Sequence, residues 1–252
     1  MAPRHPLDRP VWSAFTTRQV ALARHSEGAL RVVPDYGPFA AMADASPESQ
    51  AALVALLTDD KPVWIVEADE MPTPPGTMVL RTAPLFQMTA EAIRPAPRSF
   101  EMVALTEEDA PEMLALALLT EPGPFSHHTH RLGEFVGVKR GGRLIAMAGE
   151  RMRPDGFTEV SGVCTHPDHR GKGYAGGLMR AVAERILERG ETPFLHVYAS
   201  NTGAIALYET LGFAIRAPIR MTVLALAEPA VADAGAPQAG VVPRPEASKA
   251  TR

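Results

Sequence analysis

The sequence predicts a mixed α/β fold of the α+β kind, built on a mixed, mostly antiparallel sheet. Three observations carry that expectation. Segments with two-residue apolar alternation outnumber those with helical spacing. Consecutive hairpins occupy the middle of the chain, one of them turning at Gly141-Gly142. A single strand–helix–strand crossover then follows, from Thr158 to Ala199.

The 252 residues suffice for one large domain or two small ones with ample core. Two prolines in "RPAPR", Arg94 to Arg98, interrupt any helix or central strand. They predict a mixed α/β N-terminal lobe over 1–95 and a second lobe over 96–226. From about Ala227 to Arg252 the chain is rich in Ala, Pro and Gly without periodicity, which predicts a disordered tail over 227–252.

In the first lobe, Ser46 to Leu57 reads as a helix, with a capping serine, proline at the first helical position and Glu48 in the first turn. Val63 to Ala68 and Thr77 to Thr82 read as strands around the turn-rich "MPTPPG". In the second lobe, Phe100 to Leu105 reads as a strand and Thr106 to Leu119 as a helix opened by acidic residues. The Glu134 to Met152 hairpin comes next, then a strand from Thr158 to Thr165 halted by Pro167. Tyr174 to Arg189 is a helix with Ala175, Leu178, Val182, Ala183 and Ile186 on one face and Gly190 closing it. Phe194 to Ala199 is a strand, Asn201 to Gly212 a short capped helix, and Met221 to Leu226 a last strand.

Composition narrows the function. Net charge is −4 and aromatic residues total 6% without interleaved basic ones, so neither nucleic acid nor an anionic membrane is an expected partner. Cys164 is the one cysteine, which excludes an intrachain disulfide and suggests a reducing, cytoplasmic setting. The N-terminus has no apolar signal core, and the longest apolar runs are far too short to span a membrane. The oligomeric state is left open.

The stretch "THPDHRGKGYAGG", Thr165 to Gly177, fits two phosphate-gripping patterns. Gly171-x-Gly173-x-x-Gly176 matches a dinucleotide fingerprint, but "HPDHR" separates it from the strand, and Glu191 precedes the next strand where a ribose-binding acid should follow it. A Walker loop fails because Lys172 is followed by Gly173. Arg170-x-x-Gly173-x-Ala175 matches the coenzyme A pattern instead. Gly171 and Gly173 let the backbone approach a pyrophosphate, successive N–H groups and the helix start face it, and Arg170 and Lys172 add charge.

"GVCTHPDHRGKGYAGGLM", then "FLHVYASN", then "TGAIALYETLGF" resembles the GNAT superfamily of N-acetyltransferases in the order and spacing of its elements. The similarity runs over roughly Phe100 to Leu226. The whole looks like the subgroup related to glycine N-acyltransferases, with an extra N-terminal lobe. The resemblance implies the GNAT acyl-CoA N-acyltransferase fold and acetyl transfer from acetyl-CoA to a small-molecule or peptide amine, by direct attack in a ternary complex. No metal is expected, because the histidine spacing fits no zinc template and no cysteine pair accompanies it. The resemblance also implies pantetheine beside Val163, Cys164 and Thr165, a pyrophosphate on Arg170, Gly171, Lys172, Gly173, Tyr174 and Ala175, and a contact from Asn201. Gly162 marks a candidate bulge opening the sheet.

An amine at pH 7 needs deprotonating, so Glu159 is the candidate base, with Glu150 a less well placed rival. Tyr208 is the candidate acid for the leaving thiolate. A backbone N–H near the end of strand 158–165 is the candidate oxyanion donor. The alternative function is a non-catalytic acyl-CoA-binding regulatory module. Cys164 reads as a buried structural thiol, not an acyl carrier. "HHTH", His127 to His130, fits no zinc template. "EPGPF", Glu121 to Phe125, shapes a candidate acceptor loop, and His196 reads as packing beside Tyr198.

Overall fold

The computed structural model describes residues 4–97 and 99–227. After Ala227, the expected tail lies outside the described residues.

In chain order the elements begin with helix α1 (Pro10–Thr16), strands β1 (Ala23–Ser26), β2 (Ala29–Val32) and β3 (Ala40–Met42), helix α2 (Pro47–Leu56), and strands β4 (Val63–Glu67) and β5 (Thr77–Thr89). They continue with β6 (Val103–Leu105), α3 (Ala110–Thr120), β7 (Phe135–Arg140), β8 (Arg143–Glu150) and β9 (Phe157–Thr165). The last are α4 (Tyr174–Glu188), β10 (Thr192–Tyr198), α5 (Thr202–Leu211) and β11 (Ala214–Leu226).

β1, β2 and β3 form a small sheet, and the other eight strands form one sheet in the order β4-β11-β5-β10-β9-β8-β7-β6. Its pairings are antiparallel except β9 with β10. The expected mixed, mostly antiparallel sheet is therefore present. It does not stop at the break near residue 95, because β4 and β5 flank β11 and β5 also pairs with β10.

Each face of the sheet has its own cover. The amphipathic face of α4 buries Leu178, Val182 and Ile186 against Ile145, Ala148 and Val160. On the other face Val11, Phe15, Leu30 and Phe39 pack against Leu85, Phe194 and Met221. The residues before β4 thus form an outer layer, with the sheet between them and α4.

Two irregularities open the sheet at its centre. β9 pairs with β10 only from Phe157 to Glu159, so the strands part beyond that point. On the opposite side of β9, Met147 faces Cys164 and Gly149 faces Ser161. Gly162 and Val163 therefore share one partner, Ala148, which is a β-bulge. Gly162 has φ +63, and an added Cβ would stand 2.8 Å from the Phe135 ring. Glycine is needed there for conformation and for space.

Candidate active site

Two clefts meet at this opening. The first, about 400 Å³, brings together residues 163–165 of β9 and the loop of residues 169–176. A short 3-10 turn over Pro167–His169, capped by the His166 ring, directs the chain into the loop. Gly171 and Gly173 take φ +76 and +75, and Gly173 is the N-cap of α4. A Cβ on either would meet nothing, so the ground before the loop is clear. Among the described residues, the N–H groups of residues 171–176 have no protein acceptor. Such a run of free donors at a helix start suits a diphosphate. Arg170 and Lys172 are exposed beside it, whereas the Tyr174 ring is buried edge-on to Phe100, so only the backbone of Tyr174 is free for a ligand.

The second cleft, about 140 Å³, lies in the gap between β9 and β10 and is lined from both faces of the sheet. Tyr208, Met179 and Val160 contribute from the α4 side; Glu159, Ser161, His196 and Arg151 contribute from the other. Val163 lines both clefts and joins them. Asn201 lines the second cleft and caps α5 by accepting from the Ala204 N–H at 3.1 Å, so the helix-cap role is realised. Tyr208 is largely buried, and burial pushes its hydroxyl above the usual 10.0.

Glu159 is in the cleft wall, but its carboxylate is already engaged. Arg151 Nε donates to Oε2 at 2.8 Å and Arg151 Nη2 to Oε1 at 2.7 Å. His196 Nδ1 approaches Oε1 at 2.8 Å. Burial alone would push the carboxyl up; the Arg151 charge and these hydrogen bonds outweigh it and hold the group at about 2. Glu150 does not line the cleft. It is buried against Arg189, whose Nη2 lies 2.7 Å from its Oε1.

Sequence reasoning missed Arg151 and gave His196 only a packing role. On its strand His196 shares a face with Phe194 and Tyr198, and the register sets it opposite Gln87, information absent from local spacing. Pro122, Gly123 and Pro124 of the expected acceptor loop line the second cleft. Phe39, Trp64, Val66 and Leu85 complete its wall from the N-terminal part. Burial raises the Cys164 thiol to about 11, as a structural thiol requires. His130 pairs with Glu107 at 2.9 Å, and no group of three or more potential metal ligands occurs among the described residues.

Residues 135–221 match the sequence family described as FR47-like protein. The structure is similar to that of a GNAT-family protein from Novosphingobium aromaticivorans, with TM-score 0.82 and 50% identity, covering 89% of this chain and 100% of that one. A mycothiol acetyltransferase of Thermomonospora curvata is 30% identical over 200 residues, 77% of this chain and 63% of that protein. The N-alpha-acetyltransferase RimI of Mycobacterium tuberculosis is 33% identical over 91 residues, 35% of this chain and 54% of that protein. The chain thus spans less than two thirds of the length of either curated relative.

Proposed function

The chain belongs to the GNAT family of acetyltransferases, and we propose that it moves an acetyl group from acetyl-CoA to an amine by direct attack in a ternary complex. The observation that carries this reading is the opening between β9 and β10, where the free-donor loop cleft meets the cleft holding Tyr208. Acetyl-CoA would supply an activated acyl carbon and a thiolate leaving group. Residues 170–175 would hold its diphosphate. The unpaired edge of β9 at Val163, Cys164 and Thr165, with Asn201 across the gap, would hold the pantetheine.

Two proton movements remain for the protein to manage. An aliphatic amine has pKa about 10.4, so freeing its lone pair at pH 7 costs roughly 4–5 kcal/mol. Glu159 was the expected base. A carboxylate held at about 2 is poorly matched to that proton, and its oxygens are already occupied. We therefore give Glu159 the role of anchor for Arg151 and His196, and let the amine proton leave through solvent in the cleft beside Ser161. Tyr208, held protonated by burial, would give its proton to the departing sulfur; the nitrogen sheds its second proton to solvent as the amide forms, and solvent returns one to Tyr208. The N–acyl bond forms as the C–S bond breaks, and no acyl-enzyme is needed.

Release of free thiol from acetyl-CoA across a panel of amines tests the proposal. Amine-dependent release supports it. CoA binding with no release from any amine would favour a non-catalytic binding module.

A further inference from the structure

The cleft at the strand gap continues outward. Past Trp64 and Pro124, which line both spaces, it meets a second acceptor-side cleft of about 510 Å³. Its wall is mostly apolar and comes from separate parts of the chain, including Pro34, Pro38, Leu114, Leu118 and Phe125. Leu118 is 67% exposed there. An apolar trough leading away from a reaction cleft suits a substrate longer than the reaction cleft itself.

Arg151 stands at the inner end. Its guanidinium lies 4.9 Å from the centre of the Phe39 ring, and the residue is only 9% exposed. A guanidinium has five N–H donors. Glu159 takes two, and the others have no acceptor among the described residues. Arg151 lines the cleft, so the donors left free there can reach a ligand oxygen. Charge balance decides which oxygen. Arg151 and Glu159 already cancel, and the hydrogen bonds around His196 suit a neutral ring. A ligand carboxylate would stand near Glu159 without a matching cation, whereas a carbonyl oxygen would need none.

We infer that the acceptor is the amino terminus of a peptide. Its first carbonyl oxygen binds Arg151, its amine turns toward the gap at Ser161, and the following residues leave past Trp64 and Pro124 into the outer cleft. This rests on the acetyltransferase reading above and adds the class of acceptor to it.

The test compares alanine, alaninamide and the peptide amide Ala-Ala-Leu-Leu-NH₂ as acceptors, within a panel that also holds simple alkylamines and aminosugars, by thiol release from acetyl-CoA. The expected order of kcat/KM is peptide, then alaninamide, then alanine, with about tenfold between peptide and alaninamide. Leu118→Glu, on an exposed site where folding is not at risk, is expected to raise the peptide KM and pull the peptide-to-alaninamide ratio down about tenfold. Free alanine matching the peptide, indifference to chain length, or an unchanged ratio in the variant overturns the inference. Turnover of other amines without turnover of the peptide overturns the inference alone. No thiol release from any amine overturns the acetyltransferase reading with it.

Discussion

His196 Nδ1 lies 2.8 Å from Glu159 Oε1, and the surrounding bonds fit one arrangement of protons. Arg216 Nη1 donates to Gln87 Oε1 at 2.7 Å, while Gln87 Nε2 donates to the Leu7 carbonyl at 2.9 Å. The amide orientation is thereby set, so Gln87 Nε2, 3.0 Å from His196 Nε2, must donate to it. His196 Nδ1 then carries the ring proton and donates to Glu159. The chain of bonds crosses β11, β5, β10 and β9 in turn and ends at the reaction cleft. Gln87→Glu would face His196 Nε2 with an acceptor and favour a second proton on the ring. Nitrogen NMR at neutral pH should show an imidazolium in the variant and a neutral Nδ1–H ring in the parent. A neutral ring in both would refute this arrangement.

Glu159 should also govern acid stability. Its folded-state value of about 2 lies below the ordinary 4.5. A depressed carboxylate contributes stability above its unfolded value and loses it as pH falls from about 4.5 toward 2. Glu159→Gln removes the anion from a buried pair and should cost about 3–5 kcal/mol at pH 7. Urea denaturation should show the gap between parent and variant narrowing through that acid window. A gap independent of pH would mean that the carboxylate is not ionised in the fold.

Tyr208→Phe separates proton donation from binding. Turnover should fall by about 10²-fold or more, with CoA affinity changed by no more than about threefold. Because burial raises the hydroxyl, any loss of activity from this group in the parent should come at higher pH than an ordinary phenol would give. Stopped-flow thiol release and calorimetric titration provide the two readings. Turnover equal to the parent would remove Tyr208 from the acid role.

Gly173→Asp should weaken CoA by about tenfold or more. At φ +75 a non-glycine residue costs roughly 1–2 kcal/mol, and the new carboxylate would face the phosphates. Gly173→Asn tolerates the left-handed backbone better and carries no charge, so it should weaken CoA less. Titration of CoA into both variants checks the pair. Parent-like affinity in Gly173→Asp would exclude the loop as the phosphate site.

Local pattern made the donor side readable. The 3.6-residue spacing of α4, the glycines at 171 and 173 and the hairpin at Gly141-Gly142 all act within a few residues. The acceptor side depends on contacts between distant segments. β5 was expected over Thr77 to Thr82 but runs to Thr89, through Pro84. Pro84 is tolerated because β10 pairing starts at Leu85, leaving that edge of β5 without a required N–H. β11 likewise starts well before Met221, and Pro218 follows a register shift between Ile215 and Ala217. The small sheet of β1, β2 and β3 uses strands of three or four residues, too short for alternation to announce them. Arg151 gave no local signal, since its importance comes from pairing with Glu159 across the turn between β8 and β9.

The weave of β4 and β5 into the main sheet has an evolutionary corollary. Under the proposed reading, side chains such as Phe39, Trp64 and Val66 can be exchanged to suit a new acceptor while the loop of residues 169–176, roughly a hundred positions later, stays untouched. The segment bearing them cannot be shed, because its loss would strip β11 of both neighbours and β10 of one. Selection can therefore retune this half of the catalyst by point substitution, but not by swapping it in or out as a cassette.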